Sequence, residues 1–138
     1  MKHFLENDFE FEFQLIGISC HEKDYRICWA INQALSVELK KTETDLELVL
    51  KKQKKTSYYT VFEYKNDDTF NEYYLINNRS INGLLINELP HLDYFVMIKE
   101  NYPVDINDTL TQINKIPFIL TAYNVSVDSL VSKENLIF

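Results

Sequence analysis

Apolar and polar residues alternate from Phe9 onward: Phe9, Phe11, Phe13 and Leu15 are separated by Glu10, Glu12 and Gln14. A period of two puts one face of a strand in a core and the other in water. The alternation lapses at Ile16-Gly17-Ile18, which predicts a strand entering a region covered on both faces. Ser19 then precedes Glu22 at capping-box spacing, in which each side chain satisfies an amide of the first helical turn. Ile27, Cys28, Ile31, Ala34 and Leu35 mark one stripe of the helix that follows. Trp29 lies near that stripe and is expected in the core. Phe9 to Leu35 therefore reads as a strand passing into a capped amphipathic helix.

The same reading continues along the chain. Val37-Glu38-Leu39 begins a strand after Ser36, and Leu46, Leu48 and Leu50 mark a third. Ser57 to Tyr64, dense in β-branched and aromatic residues, reads as a fourth strand. Asn66-Asp67-Asp68 turns it into a fifth, Phe70 to Ile76. Gly83 closes the next loop at a position expected to need positive φ. Leu84-Leu85-Ile86 is a brief edge strand, and Pro90 makes a bend. Tyr94 to Ile98 is apolar throughout, which predicts a central strand. Asp105 caps a helix carrying Ile106, Leu110 and Ile113, and Pro117 ends it. Phe118 to Tyr123 is the last strand, Ser126 caps a short terminal helix, and the apolar tail from Asn135 to Phe138 docks.

Hairpins between two helical units predict a single α+β domain over residues 1–138. Its core would be a largely antiparallel sheet of about six to seven strands. The two main helices and the short C-terminal helix would pack on one side. The piece from Tyr94 to Tyr123 fits a crossover joining parallel neighbours.

A chain of 138 residues with 46% apolar and 25% charged residues is globular in composition and long enough to bury a core. The net charge of −7 argues against nucleic acid as a partner. The opposing lysines, Lys40, Lys41, Lys51, Lys52, Lys54 and Lys55, read as a solvated hairpin tip or as charge guarding a sheet edge. No apolar run reaches the length of a membrane span, and the first residues carry no signal peptide. Cys20 and Cys28, about 12 Å apart if both are helical, are beyond disulfide reach. Together these features predict a reducing, cytoplasmic setting. The nine tyrosines include Tyr58, Tyr59, Tyr64, Tyr73 and Tyr74, an aromatic strand surface that one small sheet would not fully cover.

Chemistry is harder to place. With glycine only at 17 and 83, the glycine-rich nucleotide motifs are excluded, and no cofactor is expected. His3, His21 and His91 are scattered, so no metal site is expected. Cys20 is a candidate thiol because a cap at Ser19 would put it in a first helical turn. Asn-x-Ser/Thr triplets start at Asn78, Asn107 and Asn124, and without an export signal they are chance matches.

The most distinctive stretch runs from Ile86 to Tyr94, Ile-Asn-Glu-Leu-Pro-His-Leu-Asp-Tyr. Here the chain resembles the IPExxxVDY family of small bacterial proteins, whose name describes only its sequence. Ile86, Glu88, Asp93 and Tyr94 match the signature, while Asn87 replaces its proline and Leu92 its valine. The resemblance extends from Phe11 to Leu136. It implies an intracellular bacterial protein and implies no activity. Read physically, Asp93 would accept backbone amides at the bend and Tyr94 would anchor the strand. Glu88, His91 and Asp93 could instead rim a contact patch. Negative chemistry and surplus aromatic surface point to a non-enzymatic, self-associating interaction or regulatory domain, in its simplest form a homodimer. The alternative is a small ligand binder or enzyme using Cys20 or the Glu88/Asp93 bend.

Overall fold

A computed structural model describes residues 12–50, 52 and 54–137. Ten strands and two α-helices follow one another: β1 (Gln14–Ser19), α1 (Asp24–Leu35), β2 (Lys40–Lys41), β3 (Leu46–Leu50), β4 (Lys55–Tyr59), β5 (Val61–Lys65), β6 (Glu72–Asn77), β7 (Arg79–Ser80), β8 (Gly83–Leu84), β9 (Tyr94–Lys99), α2 (Ile106–Asn114) and β10 (Thr121–Asn124). Two 3-10 turns, Val127–Ser129 and Lys133–Leu136, end the chain. Six strands form one antiparallel sheet in the order β10-β1-β9-β6-β5-β2. β3 with β4, and β7 with β8, form separate two-stranded ribbons. The fold is α+β.

Period-two patterning assigns each side chain to one of two cores. Ile16 and Ile18 of β1, Tyr94, Val96 and Ile98 of β9, Leu75 of β6 and Phe62 of β5 face the helices, where they meet Ile27, Ile31 and Ile113. The alternate residues, Leu15, Phe95, Met97, Ile76 and Val61, face a second cluster with Leu85, Ile86, Leu92 and Leu136. The central strand β9 is thus buried on both faces, which is why its sequence carries no polar alternation.

Several expectations change. The alternation at Phe9 and Phe11 lies outside the described residues, and β1 begins at Gln14. Ser19 does not cap a helix: it pairs with Thr121 as the last residue of β1. The helix starts at Asp24 behind Lys23, which gives no side-chain cap, and Glu22 forms an ion pair with Arg26 at 2.7 Å. Trp29 is 64% exposed, because it sits on the face of α1 opposite Ile27 and Ile31.

Val37 and Leu39 are buried against the helices, and strand pairing waits until Lys40. Ser57 to Tyr64 is not one strand. The chain leaves one sheet at Tyr59 and enters another at Val61, with the Thr60 carbonyl accepting from Asn77.

The two α-helices share one face, but the C-terminal helix is a pair of 3-10 turns on the opposite face, where Val127, Leu130 and Leu136 join the second core. β9 and β10 run parallel, yet β1 lies between them, so α2 links strands that are not neighbours. Three details agree with the pattern. Gly83 has φ 141°. Asp105 caps α2 by accepting from the Asp108 amide at 3.1 Å. The tail docks through Leu136, which is buried.

Candidate functional site

The stretch from Ile86 to Tyr94 packs where β9 begins, between the end of β1 and the β6–β7 junction. Asp93 is buried there. Its backbone amide donates to the Ile18 carbonyl at 2.8 Å, and its carbonyl accepts from Asn78 at 2.9 Å. Its carboxylate accepts from the Cys20 amide at 2.8 Å and from Arg79 Nε at 2.6 Å. The other end of that guanidinium donates to the Pro90 carbonyl at 2.8 Å. One carboxylate therefore holds the exit of β1 and, through Arg79, the bend. Tyr94 adds a second tie, its hydroxyl donating to the Glu22 carbonyl at 2.6 Å. These two bonds keep residues 20–23 out of the helix, and they are the physical reason the expected capping box fails.

The remaining candidates point to other partners. The Glu88 carboxylate accepts from the Ser132 amide at 2.8 Å, pinning the C-terminal turns. Burial alone would raise the Glu88 pKa. Hydrogen bonds from Ser132 and from neighbouring backbone amides outweigh it and hold the carboxyl below its ordinary value. His91 Nε2 meets the Tyr123 hydroxyl at 2.7 Å, with the two rings stacked. Cys20 and Asp93 are brought together, with Tyr94 beside them. Glu88 and His91 face different segments, Ser132 and Tyr123, so Glu88, His91 and Asp93 share no single bonded rim.

Cys20 is buried, and its thiol accepts from the Glu22 amide at 3.3 Å. Desolvation is the main cause that pushes its pKa above the ordinary thiol value, with the Asp93 and Glu22 charges adding to the rise. Burial pushes Cys28 up to about 11. Both thiols are free, and both environments favour the neutral form.

The residue that patterning missed is Asn78. It is fully buried, and its side chain donates to the Leu89 and Leu92 carbonyls at 3.1 and 2.8 Å while accepting from the Ile86 amide at 2.8 Å. One amide group thereby fixes both ends of the bend from Ile86 to Leu92. Its only mark in the sequence is a glycosylation-like triplet, and burial rules that reading out for Asn78. Asn32 and Asn114 act alike, each bonding both the amide and the carbonyl of one residue, Leu39 and Ala122.

Two grooves are lined by other residues. One of about 820 Å³ lies between the start of β3 and the main sheet, edged by Glu43, Asp45, Glu47 and Glu63 with Tyr74. Another, of about 320 Å³, runs between the helices, with Trp29, Ile116 and Phe118 as its walls. Of the tyrosines expected at a surface, Tyr59 is buried, and Tyr64, Tyr73 and Tyr74 are half-buried in the two cores. Tyr58 remains exposed. Among the described residues no group of three or more His, Cys, Asp or Glu is arranged to hold a metal, and no helix is long and apolar enough to cross a membrane. No family model matches the chain, and no match was found among the curated proteins or the solved structures compared with it.

Proposed function

We propose that the chain is a non-enzymatic interaction or regulatory domain that works in a self-associated form, in the bacterial cytoplasm, as a divergent member of the IPExxxVDY family. The observation that carries self-association is the free side of β3. This strand pairs with β4 alone, and among the described residues Asp45 to Leu50 form no backbone bond to anything else. No proline or glycine interrupts it, and its solvent face includes Val49, 56% exposed. Chains ordinarily block such an edge. Sedimentation over a wide concentration range is the test: a rising weight-average mass is expected, and a constant monomer mass overturns the proposal.

The ligand-binding or enzymatic alternative rests on Cys20 and the Glu88/Asp93 bend. Against it stands the use of those groups, since Asp93 and Tyr94 hold the link between β1 and α1, Glu88 holds the C-terminal turns, and the Cys20 thiol is buried and neutral. Iodoacetamide labelling of Cys20 faster than free cysteine at neutral pH would favour the alternative. Nucleic-acid binding through the lysine turn is disfavoured by the acidic groove beside β3, and it predicts a steep salt dependence.

A further inference from the structure

We infer that two copies of this chain join by antiparallel pairing of β3 with β3, so that the two β3–β4 ribbons become one four-stranded sheet across a two-fold axis. This rests on the self-association proposed above and names its surface. Three observations converge on it.

First, the edge is available. β4 occupies one side of β3, and the other side keeps its backbone donors and acceptors unpaired among the described residues. An open row of this kind recruits another strand.

Second, charge is polarised along the ribbon. Glu43, Asp45 and Glu47 lie at the amino end of β3 and are exposed, while Lys52 and Lys54 lie in the turn beyond its carboxyl end and Lys55 opens β4 opposite Leu50, all three also exposed. None of the six has an ion pair among the described residues. A strand acidic at one end and basic at the other repels a parallel copy and attracts an antiparallel one. Centred on Leu48, antiparallel pairing sets Leu46 opposite Leu50 and Glu47 opposite Val49 of the second copy. The acidic end of each strand then reaches the lysine turn of the other.

Third, the receiving surface has the matching sign. The groove beside the start of β3 is edged by Glu43, Asp45, Glu47 and Glu63, with Lys41 as its one basic residue among the described lining. A lysine turn delivered by the second copy would enter an anionic recess. The occupant is therefore a second copy of this chain, not an apolar peptide.

Reciprocal charge reversal tests the inference. One variant carries Glu43→Lys with Asp45→Lys, the other Lys52→Glu with Lys55→Glu; all four positions are exposed, so the fold should survive, which circular dichroism and melting are to check. In sedimentation each variant alone should dimerise at least about tenfold more weakly than the unaltered chain, and an equimolar mixture should recover a mixed dimer. Acrylamide quenching of the single Trp29 should be unchanged on dimerisation, because α1 stays outside this interface. A dimer indifferent to both reversals, a mixture that fails to recover, or a Trp29 that becomes shielded overturns the β3 surface while leaving self-association standing. An unaltered chain that is monomeric at every concentration overturns both.

Discussion

Replacing Asp93 with alanine isolates a contact that ties the stretch from Ile86 to Tyr94 to the rest of the fold. The change removes the acceptor of the buried Cys20 amide and the partner of Arg79. A buried amide left without an acceptor costs about 1–3 kcal/mol. The Arg79 side chain is 50% exposed, so solvent screens its share of the ion pair, which adds no more than about 1 kcal/mol. The expected loss is about 3 kcal/mol, a large part of the ~5–15 kcal/mol that holds a domain of this kind together. The corresponding fall in Tm is roughly 10 °C for a chain of this length. Asp93→Asn separates the two contributions. It keeps a carbonyl oxygen for Cys20 and lets Arg79 turn into water, so it should cost less than half as much. Urea unfolding of the three proteins, with unchanged m-values, measures both. If Asn proves as costly as Ala, the pairing with Arg79 rather than the Cys20 amide carries the site, and the account of why residues 20–23 stay out of the helix is wrong.

Other outcomes follow from single contacts. Asn78→Ala orphans the Ile86 amide and two carbonyls in a fully buried position and should cost at least about 3 kcal/mol in urea unfolding; a loss below about 1 kcal/mol would mean that water replaces the amide. A Cβ at Gly17 would overlap Leu92, so Gly17→Ala should cost about 1–3 kcal/mol by overpacking. Leu92→Ala should absorb part of that cost, making the double variant less unstable than the sum, and strict additivity would refute the overlap. The Cys28 pKa rises from 9.0 to about 11 on folding, so its contribution to stability is complete below pH 9 and is lost as pH climbs towards 11. Tyr74 and Tyr94 are shifted the same way, mainly by desolvation, so the chain should weaken in alkali, and Cys28→Ala should flatten the decline measured by urea midpoints.

What patterning could read was periodic. Strand β9 announced itself as a continuous apolar run, α2 as a capped stripe with Asp105 in place, and the β5–β6 hairpin as two β-rich segments around Asn66-Asp67-Asp68. What it misread turned on distant partners. The Ser19 to Glu22 spacing satisfied the local rule for a helix start, yet Ser19 was already committed to β10 and Glu22 to Tyr94. Thr60 carries no sign of a break, because a switch between sheets made without glycine or proline leaves no local mark. Trp29 was assigned to the core by its neighbours, although a shift of two positions from Ile27 turns a helical residue to the far side. The aromatic surplus was real, but a sheet covered on both faces uses twice the apolar area of one covered on a single face, and most of the tyrosines were spent that way.

The candidate site divides along the same line. Glu88, Asp93 and Tyr94 were visible as a motif, while the groups that give them meaning, Cys20, Ser132, Arg79 and Asn78, lie far away in sequence. These residues reach three segments: Ile86 bonds Asn78, Glu88 the C-terminal turns, and Asp93 and Tyr94 together the link between β1 and α1. This short stretch thus ties three parts of the chain to one point. Those ties do not reach β3, which among the described residues is held by β4 alone; β10 and β2 are also paired on one side only, but neither is charged oppositely at its two ends as β3 is.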